Sequence, residues 1–391
     1  MNVTPLALHS TRAVRDALRS HGWEESLADT AAEGIHASAF HLTGLDQSAL
    51  EALVPFAGSL GLEVLTGDSW AILAGSRSRL SALARPWTVP ESLMQVAVGV
   101  GLALPQQPQA AWQTARGSVF LERPVILGIL NVTPDSFSDG GKHADTAKAL
   151  AHAEKLLHDG AHILDVGGES TRPGRTEDVP ADEELRRVVP VIEALARANA
   201  DLVISIDTVK ASVARAAIEA GAAVVNDVSA LRLDPDMAAT VAGTRAGVIL
   251  MHSRGSILEI ASFRHAEYPG GVVGGVLSEL RQALTVATGA GIAPDATVID
   301  PGLGFSKTAD QNLLLFDQLA TLDALGRPVL VGPSRKRFLG AVTGVPVKDR
   351  DRATATACAL AYERGARLFR VHDVAAAREA LALAQAAGNG P

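Results

Sequence analysis

From about residue 120 onward, eight short apolar runs recur along the chain, and each leads to a polar residue. VILGIL ends on Asn131, the HILDV run leads to Thr171, LVISI ends on Asp207 and AAVV on Asn226. GVILM ends on His252, TVI on Asp300, PVLV is followed by Lys336, and LF runs into Arg370 with His372 two residues on. Runs of this length, rich in β-branched residues, read as strands buried on both faces, and the stretch after each has helical spacing. Strand joined to helix eight times over about 250 residues predicts a (β/α)8 TIM barrel, whose active site lies at the C-terminal ends of its strands. Polar residues mark strand ends in many proteins, which accounts for an Asn or Asp alone. It accounts poorly for Lys, Arg and His arriving at the same end as well.

Residues 1–117 read differently. LDQSALEALVPFAGSLG has helical spacing, LEVLTGD and WAILAG read as short strands, and SRSRLSALAR reads as a second helix. A small N-terminal α/β domain is expected there, with the barrel over 118–391. LPQQPQAAWQTAR, from Leu104 to Arg116, is rich in Pro and Gln and reads as a linker. The histidines of this part (His9, His21, His36, His41) are scattered and read as surface or packing groups.

Composition narrows the function classes. With 47% hydrophobic but only 4% aromatic residues, the core must be built from Ala, Val, Leu and Ile. A formal net charge of −8 argues against a nucleic-acid partner, so an anionic substrate must be met by locally clustered cations. The single cysteine, Cys358, cannot form an intramolecular disulfide and reads as a small buried hydrophobe. No window is apolar enough to span a bilayer and the first residues lack a signal-peptide pattern, so a cytoplasmic protein without membrane contact is expected.

The loops after the strands carry the chemistry. NVTPDSFSDGGKHAD, Asn131 to Asp145, combines turn residues with Asp135, Asp139 and Asp145; oxygen donors of this kind suit Mg²⁺, which keeps waters and binds substrate phosphate. GGESTRPGR, Gly167 to Arg175, adds Arg172 and Arg175, which could grip a carboxylate or diphosphate. Asp207, Asn226 and Asp300 stand at strand ends where they could hydrogen-bond a flat, amide-bearing heterocycle. Ser334, Arg335, Lys336 and Arg337 open a helix, an unfavourable place for cations that points to an anionic or electron-rich ligand. Arg370 and His372 differ by two positions and share one side of the last strand.

GILNVTPDSFSDGG, DVGGESTRPG, SIDT, NDVS, DPGLGF, SRKRFLG and RVHDV, in this order, resemble the dihydropteroate synthase family over residues 120 to 388. The N-terminal segment is similar to the extra domain that precedes the barrel in some long members. The resemblance implies transfer of the (7,8-dihydropterin-6-yl)methyl group from its diphosphate ester to 4-aminobenzoate, releasing pyrophosphate, with Mg²⁺ as cofactor and small molecules as the partners. It implies a catalytic set of Asn131, Asp207, Lys336, Arg370 and His372, with Asn131 as the metal-ligating residue. Asp207, Asn226, Met251, Asp300, Lys336, Arg370 and His372 would hold the pterin diphosphate. Thr171, Arg172, Pro173, Phe305, Lys336 and Arg337 would hold the aminobenzoate, and the later barrel helices would form a homodimer. Ser253 and Leu303 depart from the commonest family text and are expected to alter packing of the pterin pocket, and the glycines of EYPGGVVGG to delay the fifth helix. Two alternatives share part of this pattern: a methyltetrahydrofolate–corrinoid methyltransferase barrel, and a pterin-binding protein without turnover.

Overall fold

The computed structural model describes residues 15, 19, 24–35, 37–106, 108–133, 142–169 and 177–389. The chain divides into two compact units, Met1–Gln106 with Asn389–Pro391, and Gln107–Gly388.

In the first unit, helices α1 (Glu25–Ile35), α2 (Gln47–Ser59), α3 (Arg77–Leu83) and α4 (Met94–Ala103) accompany strands β1 (Ala37–Thr43), β2 (Glu63–Thr66) and β3 (Trp70–Ser76). The strands form an antiparallel sheet in the order β1-β3-β2. Asp46 starts α2 by accepting the Ala49 N–H at 2.7 Å, a side-chain cap for an otherwise unpaired donor. Leu53, Leu73, Leu80, Leu83, Leu93 and Val100 form the core. The sequence reading lacked β1, whose residues alternate between exposed and half-buried and so give little apolar signal.

The second unit is the barrel. Its parallel strands are β6 (Val125–Asn131), β7 (Ile163–Gly167), β8 (Val203–Asp207), β9 (Val224–Asp227), β10 (Gly247–Met251), β11 (Thr297–Asp300), β12 (Leu330–Val331) and β13 (Leu368–Val371). The sheet runs β11-β10-β9-β8-β7-β6-β13-β12, and a parallel bridge between Ile299 and Val329 joins its two ends. Helices follow the strands: α5 (Lys142–Asp159), α6 (Ala181–Ala198), α7 (Ala211–Ala220), α8 (Met237–Ala242), α9 (Val272–Gly289), α10 (Ala309–Asp317), α11 (Arg337–Thr343), α12 (Asp351–Glu363) and α13 (Val374–Asn389). Outward-facing residues such as Leu130, Val166, Ile206, Leu250 and Val371 pack beneath the helices in one continuous core. The fifth helix begins at Val272, directly after Gly271, with Gly274 and Gly275 inside it. The Tyr268 ring lies 2.6 Å from where a Gly275 side chain would start, and that packing uses the missing Cβ. No helix of the described residues is long and apolar enough to cross a membrane.

The barrel floor is apolar and plugged. Leu127, Ile163, Val224, Ile249, Val298, Leu330 and Leu368 point inward at the N-terminal end and close around Trp112. Trp112 lies in a hairpin of two short strands, β4 (Ala111–Thr114) and β5 (Gly117–Phe120), and donates its indole N–H to the Ala296 carbonyl at 2.9 Å. This hairpin belongs to the barrel unit, so the boundary falls after Gln106 and not at 117. The segment read as a linker is therefore partly strand: its Pro and Gln residues mask a four-residue alternation that buries Trp112 and Thr114. Trp112→Ala would open the floor and leave the Ala296 carbonyl unpaired. We expect it to cost ~3–5 kcal/mol of stability, measured as a lowered urea midpoint of unfolding.

Candidate active site

Alternation along each strand decides what looks into the barrel above that floor. Asp165 and Gly167 follow Ile163, Ser205 and Asp207 follow Val203, Asn226 follows Val224, Asp300 follows Val298, and Arg370 follows Leu368. Strand register sets Asn131, Gly167, Asp207 and Asn226 side by side across four strands. Barrel interiors are ordinarily filled by branched apolar side chains. Here a layer of ionic and amide groups takes their place.

Arg370 is the hub of that layer. Its Nε donates to Asp165 Oδ2 at 2.5 Å and an Nη donates to Asp207 Oδ2 at 2.6 Å. Asn226 Nδ2 donates to the same Asp165 oxygen at 3.2 Å. Asp165 is fully buried, and its Oδ1, like the Ser205 hydroxyl beside it in register, has no hydrogen-bond partner among the described residues. Across the barrel, Asp300 Oδ1 accepts the Gly302 N–H at 2.7 Å. His372 closes the rim, with Nδ1 2.8 Å from Ser334 Oγ and its backbone N–H donating to the same oxygen.

Burial and neighbouring charges perturb Asp207, Asp300, Lys336 and Arg370. Burial lifts Asp207 to about 7 against the opposing pull of Arg370, with Asp165 adding to the rise. It lifts Asp300 to about 6, against the Gly302 N–H and Lys336. It lowers Lys336 to about 7, with Arg370 adding to the effect. For Arg370 burial pulls down, but the charges of Asp165 and Asp207 outweigh it and raise the pKa. Near neutral pH the pocket therefore holds its negative charge loosely, which suits a ligand that brings N–H donors.

Above Asp300 the wall becomes apolar: Met251, Val209, Val228, Ile260 and Phe305 form a buried patch. Lys336, at the start of α11, lays its ammonium 3.4 Å from the centroid of the Phe305 ring. A side chain at Gly304 would start 2.7 Å from Lys336 Cδ, so a bare backbone lets the lysine pass. The neighbouring cations are committed elsewhere. Arg335 makes a two-pronged pair with Asp351 at 2.7 and 2.8 Å, and Arg337 donates to the Ala261 carbonyl with its guanidinium 4.4 Å from the Phe263 ring centroid. The cationic run thus contributes one pocket residue, Lys336, and Arg337, expected at the aminobenzoate, is held by protein groups. Ser253 is buried and donates to the Val228 carbonyl at 2.6 Å, while Leu303 packs in the core beneath the helices, so Leu303 does not reshape the pocket.

Thr171, Arg172, Pro173 and Arg175, with Asp135 and Asp139, lie outside the described residues, as does the Asp145 side chain. Sequence reasoning missed Asp165, which sits inside an apolar run and not at its end. It also missed a cluster of Lys210, Glu169 and Glu184, in which Lys210 Nζ donates to Glu169 at 2.5 Å and Glu184 at 2.7 Å. Asn131 ends β6 in the same row as Asp207, and no group of three His, Cys, Asp or Glu side chains clusters as a metal cage among the described residues. A single amide oxygen fits an ion such as Mg²⁺, which takes most of its ligands from water and a substrate phosphate.

The comparisons with known proteins point one way. A family described as "Pterin binding enzyme" matches residues 127–372. The dihydropteroate synthase of Bacillus subtilis (strain 168) is 43% identical over 255 residues, 65% of this chain and 85% of that protein. The structure of Xanthomonas albilineans dihydropteroate synthase with 4-aminobenzoic acid superposes with a TM-score of 0.66 at 45% identity, covering 72% of this chain and 99% of that one. The same enzyme in complex with 7,8-dihydropteroate gives 0.63 at 40% identity, covering 72% and 100%.

Two outcomes follow from the pocket. Asp165→Ala would leave Arg370 and Asn226 without their shared acceptor, and removing one partner of a buried ion pair is expected to cost ~3–5 kcal/mol in urea denaturation. Because Asp207 and Asp300 are raised to about 7 and about 6, they take up protons as pH falls through those values and cease to be pure acceptors. The affinity for a dihydropterin, measured by titration calorimetry, should therefore weaken steadily from about pH 8 to about pH 5.5.

Proposed function

The chain belongs to the dihydropteroate synthase family, making it a pterin-binding transferase of folate biosynthesis, and we propose how its barrel residues share that reaction. The protein condenses (7,8-dihydropterin-6-yl)methyl diphosphate with 4-aminobenzoate to give 7,8-dihydropteroate and pyrophosphate. The observation that carries the residue assignment is the convergence of Asp207, Asn226, Asp300 and Lys336 around Arg370 above a sealed apolar floor.

In this reading the pterin lies on that layer, its N–H groups donating to Asp207 and Asp300, with Asn226 serving as both donor and acceptor and Met251 against its face. Arg370 is tied to Asp165 through Nε, and as the heterocycle takes over Asp207 the far end of the guanidinium turns toward the ring and the diphosphate. His372 meets the diphosphate at the rim, oriented by Ser334. Asn131 would supply the protein oxygen for Mg²⁺, which when bound offsets charge on the departing pyrophosphate. The aminobenzoate would rest on Phe305, bordered by Lys336, with Thr171, Arg172 and Pro173 covering it.

The C–O bond to pyrophosphate breaks first, leaving a pterin-stabilised methylene cation. The amine nitrogen then forms the new C–N bond, and the resulting anilinium loses a proton to solvent. Fixed charge does most of the work: Arg370 and His372 stabilise the leaving group, and Asp207 and Asp300 favour positive charge on the pterin. No general base is assigned. Exposed Leu314, Val342, Val347, Leu360 and Leu383 on or between the later helices support a homodimer, and the buried lone thiol of Cys358 supports a reducing, cytoplasmic setting.

Pyrophosphate release should require the pterin diphosphate, 4-aminobenzoate and Mg²⁺ together, with each omission abolishing it. His372→Ala should lower kcat by about 10²–10³-fold, the scale of losing one preorganised donor at developing charge. Release that persists without aminobenzoate would refute this reading.

A further inference from the structure

One buried cation is not used by the mechanism above. Lys307 is 1% exposed and lies just beyond the turn that carries Phe305. Its Nζ is 3.0 Å from His252 Nδ1, 3.1 Å from the Gly302 carbonyl and 3.0 Å from the Phe305 carbonyl. His252 Nε2 sits 3.0 Å from a Glu279 carboxylate oxygen, which can only accept, so the ring donates there and Nδ1 is left as an acceptor. Lys307 thus faces three acceptors, matching the three N–H groups of an ammonium; a neutral amine would leave one of them unmet.

The backbone around this ammonium is unusual. Gly302, Gly304 and Ser306 have φ of 66°, 84° and 49°, all in the left-handed region. A Cβ on Gly302 would lie 1.9 Å from the His252 carbonyl oxygen, so this turn is pressed against the end of β10. The turn is then fastened from outside: Ser306 Oγ accepts the Arg254 N–H at 2.9 Å, the Tyr268 hydroxyl donates to the Ser306 carbonyl at 3.1 Å, and Arg254 packs 3.8 Å over the Tyr268 ring while pairing with Glu279. The carbonyls of such a turn converge and repel, and in many proteins a bound metal ion would gather them. Here the side chain of the same turn does so.

We propose that Lys307 is a positioning residue that acts as an internal cation: it gathers the Gly302 and Phe305 carbonyls and holds the Phe305 ring against Lys336 as the face on which the aromatic amine substrate rests. The proposal rests on the assignment of Phe305 to the aminobenzoate. It distinguishes the two substrates, because Lys307 bonds the backbone of Phe305 itself but meets the pterin wall at one remove, through Gly302, whose carbonyl it takes and whose N–H serves Asp300.

The test uses the full chain with Lys307→Ala, Glu279→Gln and Phe305→Ala, measuring kcat, the KM of each substrate and the melting temperature. Lys307→Ala should raise the KM for 4-aminobenzoate about tenfold or more, about 1.4 kcal/mol of binding, and change that for the pterin diphosphate about threefold or less. Adding methylammonium, which can enter the vacated site as a free cation, should restore the aminobenzoate KM. Glu279→Gln, which weakens the support of His252, should shift the same KM in the same direction by less, and it decides the matter if Lys307→Ala does not fold. Equal rises in both KM values, a fall in kcat alone, or a folded variant that methylammonium does not rescue would overturn the proposal. If Phe305→Ala leaves the aminobenzoate KM unchanged, the substrate assignment of Phe305 fails, a result separate from failure of the Lys307 role.

Discussion

A guanidinium held between two carboxylates inside a barrel sets the terms for the rest of this structure. Arg370, Asp165 and Asp207 occupy a layer that apolar side chains would otherwise fill, and each charge is tolerable there because the other two are present. The raised Asp207 and lowered Lys336 pKa values are the residue of that compromise, since the layer meets its charges without fully satisfying them. Asp165 Oδ1 and the Ser205 hydroxyl remain unpartnered among the described residues. A site left partly unsatisfied is ready to exchange internal bonds for those of a polar heterocycle, and the Arg370–Asp207 bond is the one such a ligand would replace.

Polar interiors need cohesion from elsewhere, and the barrel divides the labour by height. Trp112 and the inward leucines, isoleucines and valines seal the lower end, while the apolar patch around Met251 and Phe305 walls the upper end beside Asp300. Between them the charged layer is cut off from bulk solvent on one side only. Substrate charge can therefore enter from the rim and meet groups whose fields are little screened by water.

Much of this was legible in the sequence. The eight strands and the converging strand-end residues follow from apolar runs interrupted by polar ones, because a parallel barrel strand has no solvent face to supply polar positions cheaply. The unread parts share a cause: a sequence shows that a charge exists but not which partner meets it. Arg335 and Arg337 looked like ligand-binding cations, yet Asp351 and the Ala261 carbonyl take them. Lys307 follows DPGLGFS with no apolar run to mark it, yet it is wholly buried; Asp165, lodged within HILDV, gave no strand-end signal. Trp112 was hidden by the Pro and Gln residues around it, since its strand is only four residues long.

The hairpin that carries Trp112 also says where this barrel can be inherited as a module. Residues 107–124 precede the first barrel strand, yet their indole completes its floor, so the portable piece begins before the repeating strand-helix pattern does. A gene fusion or excision placed at residue 118 would keep every strand-helix repeat and carry away the stopper. One placed at 107 would pass on a closed vessel.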